Sequence, residues 1–298
     1  MTVGPFVLQE PVPELRSPRV FLCLQPWIDV GSVGTMALTF LEEAWGAQPL
    51  GQLARPGDFY DFTRYRPMLY RREGQRHVTV PNTFIRYAQG PGDRDWLVLH
   101  ALEPHSRGEE YVEGVMALFR RLGVSEYFMV GSMYAPVPHT RPPVASGGST
   151  DGALRARLQA CGVRESGYEG PTTILSLLPG LAGADGIPSA TVVLQLPAYA
   201  QIERDYRGLH AMLQLLSGLY GLSLNLDALR LESERQVAAI DENVQQAPRV
   251  QEWVRELEAL YDAEPAPASG EEPAAQLSPE LERFIRDVER RWDDGERR

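Results

Sequence analysis

Mostly apolar runs and helix-spaced apolar positions alternate along the middle of the chain. The runs occur at residues 19–24, 96–102, 126–133 and 191–196, and such runs are typical of strands that are covered on both faces. Between the second and the third run, the apolar positions have the spacing of a helix that ends near Leu122. The order strand, helix, strand predicts an α/β domain with a parallel sheet.

Residues 48–90 show a different pattern, in which short apolar and aromatic runs predict β structure. The strand-like runs 68–70 and 77–80 flank Glu73-Gly74-Gln75, and this arrangement predicts a β-hairpin with its turn at these three residues. The aromatic side chains of the region favour a sheet core or an oligomer contact over a platform for stacking bases. They are Phe59, Tyr60, Phe62, Tyr65 and Tyr70.

Within the third run, the apolar residues 127–130 lead into Gly131 and then into a segment with prolines at positions 136, 138, 142 and 143. Glycine permits a turn and proline fixes the backbone, so we predict a stiff loop at the carboxyl end of a strand. That end of a sheet is where α/β proteins bind ligands. The loop presents His139, Thr140 and Arg141 as candidate ligand-pocket residues. Their side chains either contact a ligand or bond to carbonyl groups that the loop leaves unpaired.

A second candidate region follows the first apolar run, where Asp29, Gly31 and Gly34 precede a helical pattern. The two glycines allow either close packing of the helix or the approach of an anion to its N-terminus. Asp29 is either the N-cap of this helix or a pocket carboxylate. Glu103 ends the second apolar run, and we consider it a further candidate for the same cleft.

Capping signals indicate further helix boundaries. Residues 106–109 match a capping box, and Gly123 stands where a C-cap is expected. Residues 146–151 predict a flexible stretch. Its last two residues, Thr150 and Asp151, are both suitable N-caps for the helix that follows.

The composition divides the chain into five segments. We predict an N-terminal arm, an α/β core, a helical extension, a flexible linker and a final amphipathic helix. Their boundaries are 1–18, 19–224, 225–262, 263–277 and 278–298. The final helix has an apolar face that must be buried, so we expect it to dock on its own chain or on another subunit. That face consists of Leu281, Phe284, Ile285, Val288 and Trp292.

The net charge of −11 and the pI of about 5.0 restrict the range of partners. An acidic surface is repelled by phosphate groups, so we predict no nucleic-acid binding and no membrane binding. No apolar run approaches the length of a membrane span. The two cysteines, Cys23 and Cys161, provide no disulfide framework, and this favours reduced thiols in a cytoplasmic protein.

Motifs of well-defined chemistry do not occur in the sequence. It contains no zinc-ligand spacing, no GxSxG nucleophile elbow and no phosphate-binding P-loop. The five histidines are scattered along the chain. We therefore predict neither a metal nor a cofactor, and we assign no catalytic residue.

Four motifs in the right order resemble the proteasome assembly chaperone 2 family. Residues 26–34 resemble its GW-x-D-x-G-x-x-G opening, with Pro26 in place of the first glycine. Residues 136–142 resemble the PHTRP loop of the bacterial branch. Residues 168–178 are similar to the Y-x-GP-x-x-I-L-x-LL segment, and residues 197–199 to the P-x-Y step. The resemblance covers about residues 18–262.

The resemblance implies a three-layer α/β/α core around a mostly parallel sheet, similar to nucleoside phosphorylases, with a C-terminal helical extension. It also implies a homo-oligomer, with a trimer favoured. Relatives that bind the proteasome carry a tail of the type hydrophobic-Tyr-any. This chain ends in Gly295-Glu296-Arg297-Arg298, so we do not expect it to dock on the proteasome in that way.

Two functions are consistent with these patterns. The first is a non-enzymatic, oligomeric assembly factor or scaffold that binds protein through the aromatic β region and the C-terminal helices. The second is a small-molecule hydrolase or phosphorylase-like enzyme that uses the strand-end cleft around His139 and Arg141. The missing nucleophile elbow and phosphate loop favour the first function.

Overall fold

The computed structural model describes residues 1–90, 94–263, 279 and 281–287. Contacts within the chain define two compact units. The first comprises Met1–Trp27, Leu38–Met129 and Gly170–Ser189. The second comprises Ile28–Ala37, Val130–Glu169 and Ala190–Arg298. The predicted linker 263–277, apart from Ala263, lies outside the described residues, and so do Val288 and Trp292 of the predicted final helix.

The described residues contain twelve strands, β1 to β12, and the α-helices α1 to α7. The strands span Thr2–Val3, Phe6–Leu8, Arg19–Gln25, Gln48–Leu53, Met68–Arg72, Gln75–Thr79, Phe84–Ala88, Trp96–Leu102, Glu126–Ala135, Val144–Ser149, Arg164–Glu165 and Ser189–Pro197. The helices span Val33–Trp45, Gly108–Leu122, Gly152–Ala160, Leu178–Ala184, Tyr206–Tyr220, Asp227–Gln245 and Pro248–Ala263. Residues 281–287 form a further helical segment.

Ten of these strands are hydrogen-bonded in the order β1-β2-β4-β7-β8-β3-β9-β12-β10-β11. Strand β3 runs parallel to its neighbours β8 and β9. On the flank, β2 pairs antiparallel with β4, β4 with β7, and β7 with β8. The predicted α/β/α class, with a mostly parallel sheet at its core and a C-terminal helical extension, is confirmed.

The core of the first unit forms because its apolar runs meet large aromatic side chains. Phe21 on β3 stacks on Trp96 of β8, with ring centroids 5.1 Å apart, and Trp96 stacks on Trp45 of α1 at 5.0 Å. Such ring pairs stabilise a core beyond the area that they bury. The helix that the pattern predicts after β8 is α2, and it ends at Gly123 in the left-handed conformation with φ 68°.

The capping box predicted at residues 106–109 is wrong. Arg107 occupies the N-cap position of α2 with φ 54°, and its side chain makes no capping hydrogen bond. Ser106 Oγ instead donates a hydrogen bond to the carbonyl oxygen of Asp58 at 2.8 Å. The carbonyl group of Asp58, the last residue of a short 3₁₀ helix, therefore competes successfully with the helix end for the serine hydroxyl.

The N-terminal arm and the predicted hairpin both contain β structure. Strands β1 and β2 lie within the predicted arm 1–18, and the side chains of Phe6 and Leu8 are buried. Strands β5 and β6 form the predicted hairpin as a two-stranded sheet of their own. Its turn consists of Glu73 and Gly74, both with positive φ, which is the turn geometry that suits a right-handed hairpin twist.

Two predictions about the second unit are wrong. Strand β9 does not turn at Gly131 but continues to Ala135. A Cβ atom on Gly131 would lie only 2.5 Å from the carbonyl oxygen of Ile28, so this glycine permits close backbone approach instead. The stretch 146–151 is not a flexible connection, because Val144–Ser149 forms β10 and pairs with β12.

The C-terminal helical segment docks on its own chain within the second unit. Leu281 and Ile285 are buried in one cluster with Ala198 and Leu257. Partly buried aromatic side chains surround this cluster, and the ring of Trp253 lies 4.8 Å from that of Phe284. Across the described ranges, no helix has both the length and the apolar character needed to cross a membrane.

Candidate functional site

The proline-rich loop begins after Ala135 and is held at its base by apolar contacts. Ala135, Val137 and Val144 form a buried cluster against Tyr261 of α7. The backbone nitrogen of Val137 donates to the carbonyl oxygen of Ala135 at 2.8 Å. Because both ends of the loop are anchored, its central residues have a defined position.

His139, at the centre of the loop, is buried and has a partner at each ring nitrogen. Its backbone nitrogen donates to the hydroxyl oxygen of Tyr199 at 2.7 Å, and its Nδ1 lies 2.6 Å from the same oxygen. Its Nε2 lies 2.8 Å from Oδ1 of Asp241 on α6. A neutral ring that carries its proton on Nε2 satisfies every group, because Tyr199 then donates to Nδ1 and Nε2 donates to Asp241.

Thr140 and Arg141 bind acidic side chains of helix α7. Thr140 Oγ1 donates to Oε1 of Glu258. Arg141 holds Asp262 with two hydrogen bonds, from Nε at 2.8 Å and from Nη2 at 2.7 Å, and its Nη1 lies 3.3 Å from Glu258. Such two-point binding is the strongest geometry for a guanidinium and a carboxylate. We call this set of contacts the loop–helix clamp; it comprises His139, Thr140, Arg141, Tyr199, Asp241, Glu258 and Asp262.

Three members of the clamp have shifted pKa values. The hydrogen bonds from Arg141 hold the pKa of Asp262 below its ordinary value, and those to Asp262 raise the pKa of Arg141. Burial raises the pKa of Tyr199 above that of a free phenol. Tyr199 is therefore neutral at pH 7, unlike a tyrosine that is activated as a nucleophile or base.

Asp29, Gly31 and Gly34 serve the start of helix α1. The Asp29 carboxylate accepts hydrogen bonds from Gly34 N at 2.6 Å and from Thr35 Oγ1 at 2.5 Å. It thereby acts as a helix cap and occupies the place where an anion would bind. Gly31 has φ 62°, and a Cβ atom there would lie 2.8 Å from Cβ of Asp205, so its role is close packing.

Glu103 belongs to the first unit and makes its contacts there. Its Oε1 accepts a hydrogen bond from the backbone nitrogen of Ile174 at 2.9 Å. Its carbonyl oxygen accepts one from the hydroxyl of Tyr65 at 3.1 Å. The carboxylate thus fixes the segment that precedes α4.

A pocket of about 300 Å³ lies in the second unit beside the clamp residue Tyr199. It is lined by Tyr199, Ala200, Gln201, Ile202, Ile240, Asn243, Val244 and Val250. Most of the lining is apolar. Tyr199 belongs to this lining, and its hydroxyl group is hydrogen-bonded to His139. No group of side chains suited to hold a metal ion occurs among the residues that the structure describes.

The sequence predicts the loop side of the clamp but not the helix side. The residues that it does not indicate as candidates are Tyr199, Asp241, Glu258 and Asp262. One signal for the last two is their spacing, because residues four apart lie on the same face of a helix. Tyr199 stands in the P-x-Y step that supports the family resemblance.

The fold and the clamp define an α/β protein whose strand-end loop is fastened by its own C-terminal helices. A model of the PAC2 family matches residues 23–244, so the chain belongs to the PAC2 family. The resemblance in the four motifs is thereby confirmed. No curated protein matches the chain significantly.

Solved structures with the same fold cover most of the chain. A PAC2 family protein from Streptomyces avermitilis is 26% identical, with a TM-score of 0.70 over 80% of this chain and 99% of that chain. A proteasome-assembly chaperone homologue from Mycobacterium tuberculosis is 25% identical, with a TM-score of 0.71 over 79% and 99%. A protein of unknown function from Corynebacterium glutamicum is 21% identical and shares the fold, with a TM-score of 0.76 over 94% and 99%.

Proposed function

We propose that this chain is a non-enzymatic, homo-oligomeric scaffold with an assembly-chaperone-like role, and that its ligands are proteins. The observation that carries the proposal is the β5–β6 hairpin. Its side chains Met68, Leu69 and Val78 are 64%, 60% and 61% exposed, and Tyr70 and Val80 are also exposed. Apolar side chains grouped on a surface in this way are typical of a site that binds protein.

The loop–helix clamp supports the same proposal. An enzyme must present its reactive groups to a substrate, whereas His139, Thr140 and Arg141 are each bound by side chains of this chain. The raised pKa of Tyr199 keeps its hydroxyl neutral. The residue types that suggest chemistry therefore fix the helical extension to the loop.

The relatives support protein partners for this chain, and the cysteines support the cytoplasmic location that we propose. The relative from Mycobacterium tuberculosis is described as a proteasome-assembly chaperone homologue, and this favours protein partners for the present chain. Cys23 and Cys161 are free thiols, which suits the reducing cytoplasm. We propose a trimer as the oligomeric state, and we expect no cofactor.

Site-specific photo-crosslinking tests the proposal. A photoreactive amino acid replaces Leu69 in one variant and Glu113, an exposed polar residue of α2, in the control. Each variant is illuminated in extract of the host, and the adducts are identified by mass spectrometry. We expect position 69 to give a protein adduct that position 113 does not give. The same adducts at both positions would contradict protein binding through the hairpin.

A further inference from the structure

The cross-strand register of the hairpin places two arginines directly opposite each other. Leu69 pairs with Val78, and Arg71 pairs with Arg76. Side chains two apart on a strand point to the same side, so all four share one face. Like charges at opposite positions destabilise a two-stranded sheet. We call Leu69 and Val78 the apolar pair, and Arg71 and Arg76 the arginine pair.

The hairpin is basic, although the chain as a whole is acidic. Residues 68–79 contain three arginines and one glutamate, a formal charge of +2, so the remainder of the chain carries −13. Within the part of the chain that the structure describes, Arg66, Arg72 and the arginine pair form no ion pair. The surface that complements such a hairpin must be acidic and partly apolar.

A surface of this composition lies in the second unit of the same chain. Tyr168 is 62% exposed, and Glu165 and Glu169 beside it are exposed as well. Neither glutamate forms an ion pair with a described residue. Glu165 ends β11, which is the outermost strand at this side of the ten-stranded order. We call residues 165–169 the acidic segment.

We propose that the hairpin of one copy docks on the acidic segment of a second copy of this chain. The proposal rests on the protein-binding function above and names the partner. The apolar pair contacts Tyr168, and the arginine pair contacts the two glutamates, which relieves the cross-strand repulsion. Two hairpins that face each other would bring like charges together, because each carries +2. The contact therefore joins two different surfaces, and head-to-tail contacts of this kind close into rings or grow into open chains.

A charge-reversal cycle on the full chain tests the proposal. One variant carries Arg71→Glu and Arg76→Glu, a second carries Glu165→Arg and Glu169→Arg, and a third carries all four changes. Sedimentation and native mass spectrometry give the dissociation constant of the assembly. We expect each reversal alone to weaken association at least about tenfold, and the fourfold variant to recover to within about threefold of wild type.

The controls separate this proposal from the proposed function. Arg121→Glu and Glu113→Arg change exposed charges on α2 and should leave the assembly unchanged, and circular dichroism establishes that every variant is folded. The proposal would be overturned if the wild type is monomeric. It would also be overturned if the charge reversals at residues 71, 76, 165 and 169 leave the dissociation constant of the assembly unchanged. If position 69 then crosslinks to a different protein, the binding function stands and only the partner is wrong. If position 69 crosslinks to nothing, both fail.

Discussion

At Tyr199, one hydroxyl group satisfies two buried groups of the same neighbour. It accepts a hydrogen bond from the backbone nitrogen of His139 and lies 2.6 Å from that residue's Nδ1. His139 is buried, so water is not available as a substitute partner. Two buried polar groups of His139 therefore depend on a single oxygen atom.

Replacing Tyr199 by phenylalanine should leave two polar groups of His139 without partners. We expect the free energy of unfolding to fall by about 1–3 kcal/mol, the usual cost of unsatisfied buried groups. Urea denaturation of the variant and the wild type measures this difference. The control is Tyr206→Phe, which should stay within about 0.5 kcal/mol of wild type. Equal losses in both variants would contradict the role of the Tyr199 hydroxyl.

Asp262 should make the clamp sensitive to acid. Its pKa in the folded chain lies below the ordinary value of about 3.9, so its bond to Arg141 stabilises the fold above that value. The stabilisation is lost as the pH falls through the ordinary value and then the folded value. We expect wild type to melt above Asp262→Asn at pH 7, with the two melting temperatures converging below about pH 4.

A second background tests the cause of this pH dependence. In a chain that carries Arg141→Gln, the further change Asp262→Asn should have little effect at either pH, because the partner of the carboxylate is gone. If Asp262→Asn destabilises both backgrounds equally, the contact with Arg141 is not the source of the effect.

The sequence predicts one half of the site because that half is local. Proline spacing and the cluster of polar residues identify the loop around His139. Its partner Asp241 lies 102 positions further along the chain, and the partners on α7 lie 118 and 121 positions away. Patterns within a short window do not indicate which helix face meets a loop at such separations.

At the scale of elements, helix α7 contributes side chains to two apolar clusters. One contains the segment 281–287 and the other lies at the base of the proline-rich loop. Leu257 is buried with the segment 281–287, while Tyr261 packs against the base of the loop. The acidic partners of the loop, Glu258 and Asp262, lie on the same helix. A change on α7 should therefore affect both the loop and the terminal segment.

Leu257→Ala should destabilise this arrangement through the cavity that it leaves. We expect a loss of about 2–5 kcal/mol in the free energy of unfolding, as for other buried leucines. The same substitution at Leu231, which is exposed on α6, should cost less than about 0.5 kcal/mol. Denaturant unfolding of the two variants compares them directly, and similar losses would show that Leu257 does not anchor the terminal segment.

Most elements could be predicted because their apolar periodicity is strong, and the exceptions have specific causes. Strand β10 contains Ser146, Gly147, Gly148 and Ser149, whose composition is typical of a loop. It forms because β12 supplies hydrogen-bond partners along its whole length. Tertiary pairing outweighs local preference at this position. The boundaries of the predicted linker 263–277 stay a prediction, which limited proteolysis can check by locating the first cut.

At the scale of the whole molecule, charge is distributed unevenly, and assembly should reflect this. If pairs of arginine and glutamate hold the copies together, salt should screen them. We expect the dissociation constant of the assembly to rise several-fold between about 0.05 M and about 0.5 M sodium chloride. Sedimentation at a series of salt concentrations measures this change. An assembly that tightens with added salt would indicate a mainly apolar contact instead.

The hairpin also bears on how the chain behaves before it meets a partner. In a two-stranded sheet each strand is paired on one side, so β5 and β6 both present an outer edge. Exposed edges with apolar side chains can template fibres, and charged side chains counteract this. We therefore expect Arg71 and Arg76 to act as gatekeepers against aggregation in newly synthesised chains. We expect variants with threonine at both positions to form amyloid-like aggregates in place of a defined assembly. The need for solubility therefore restricts which residues can occupy these two positions.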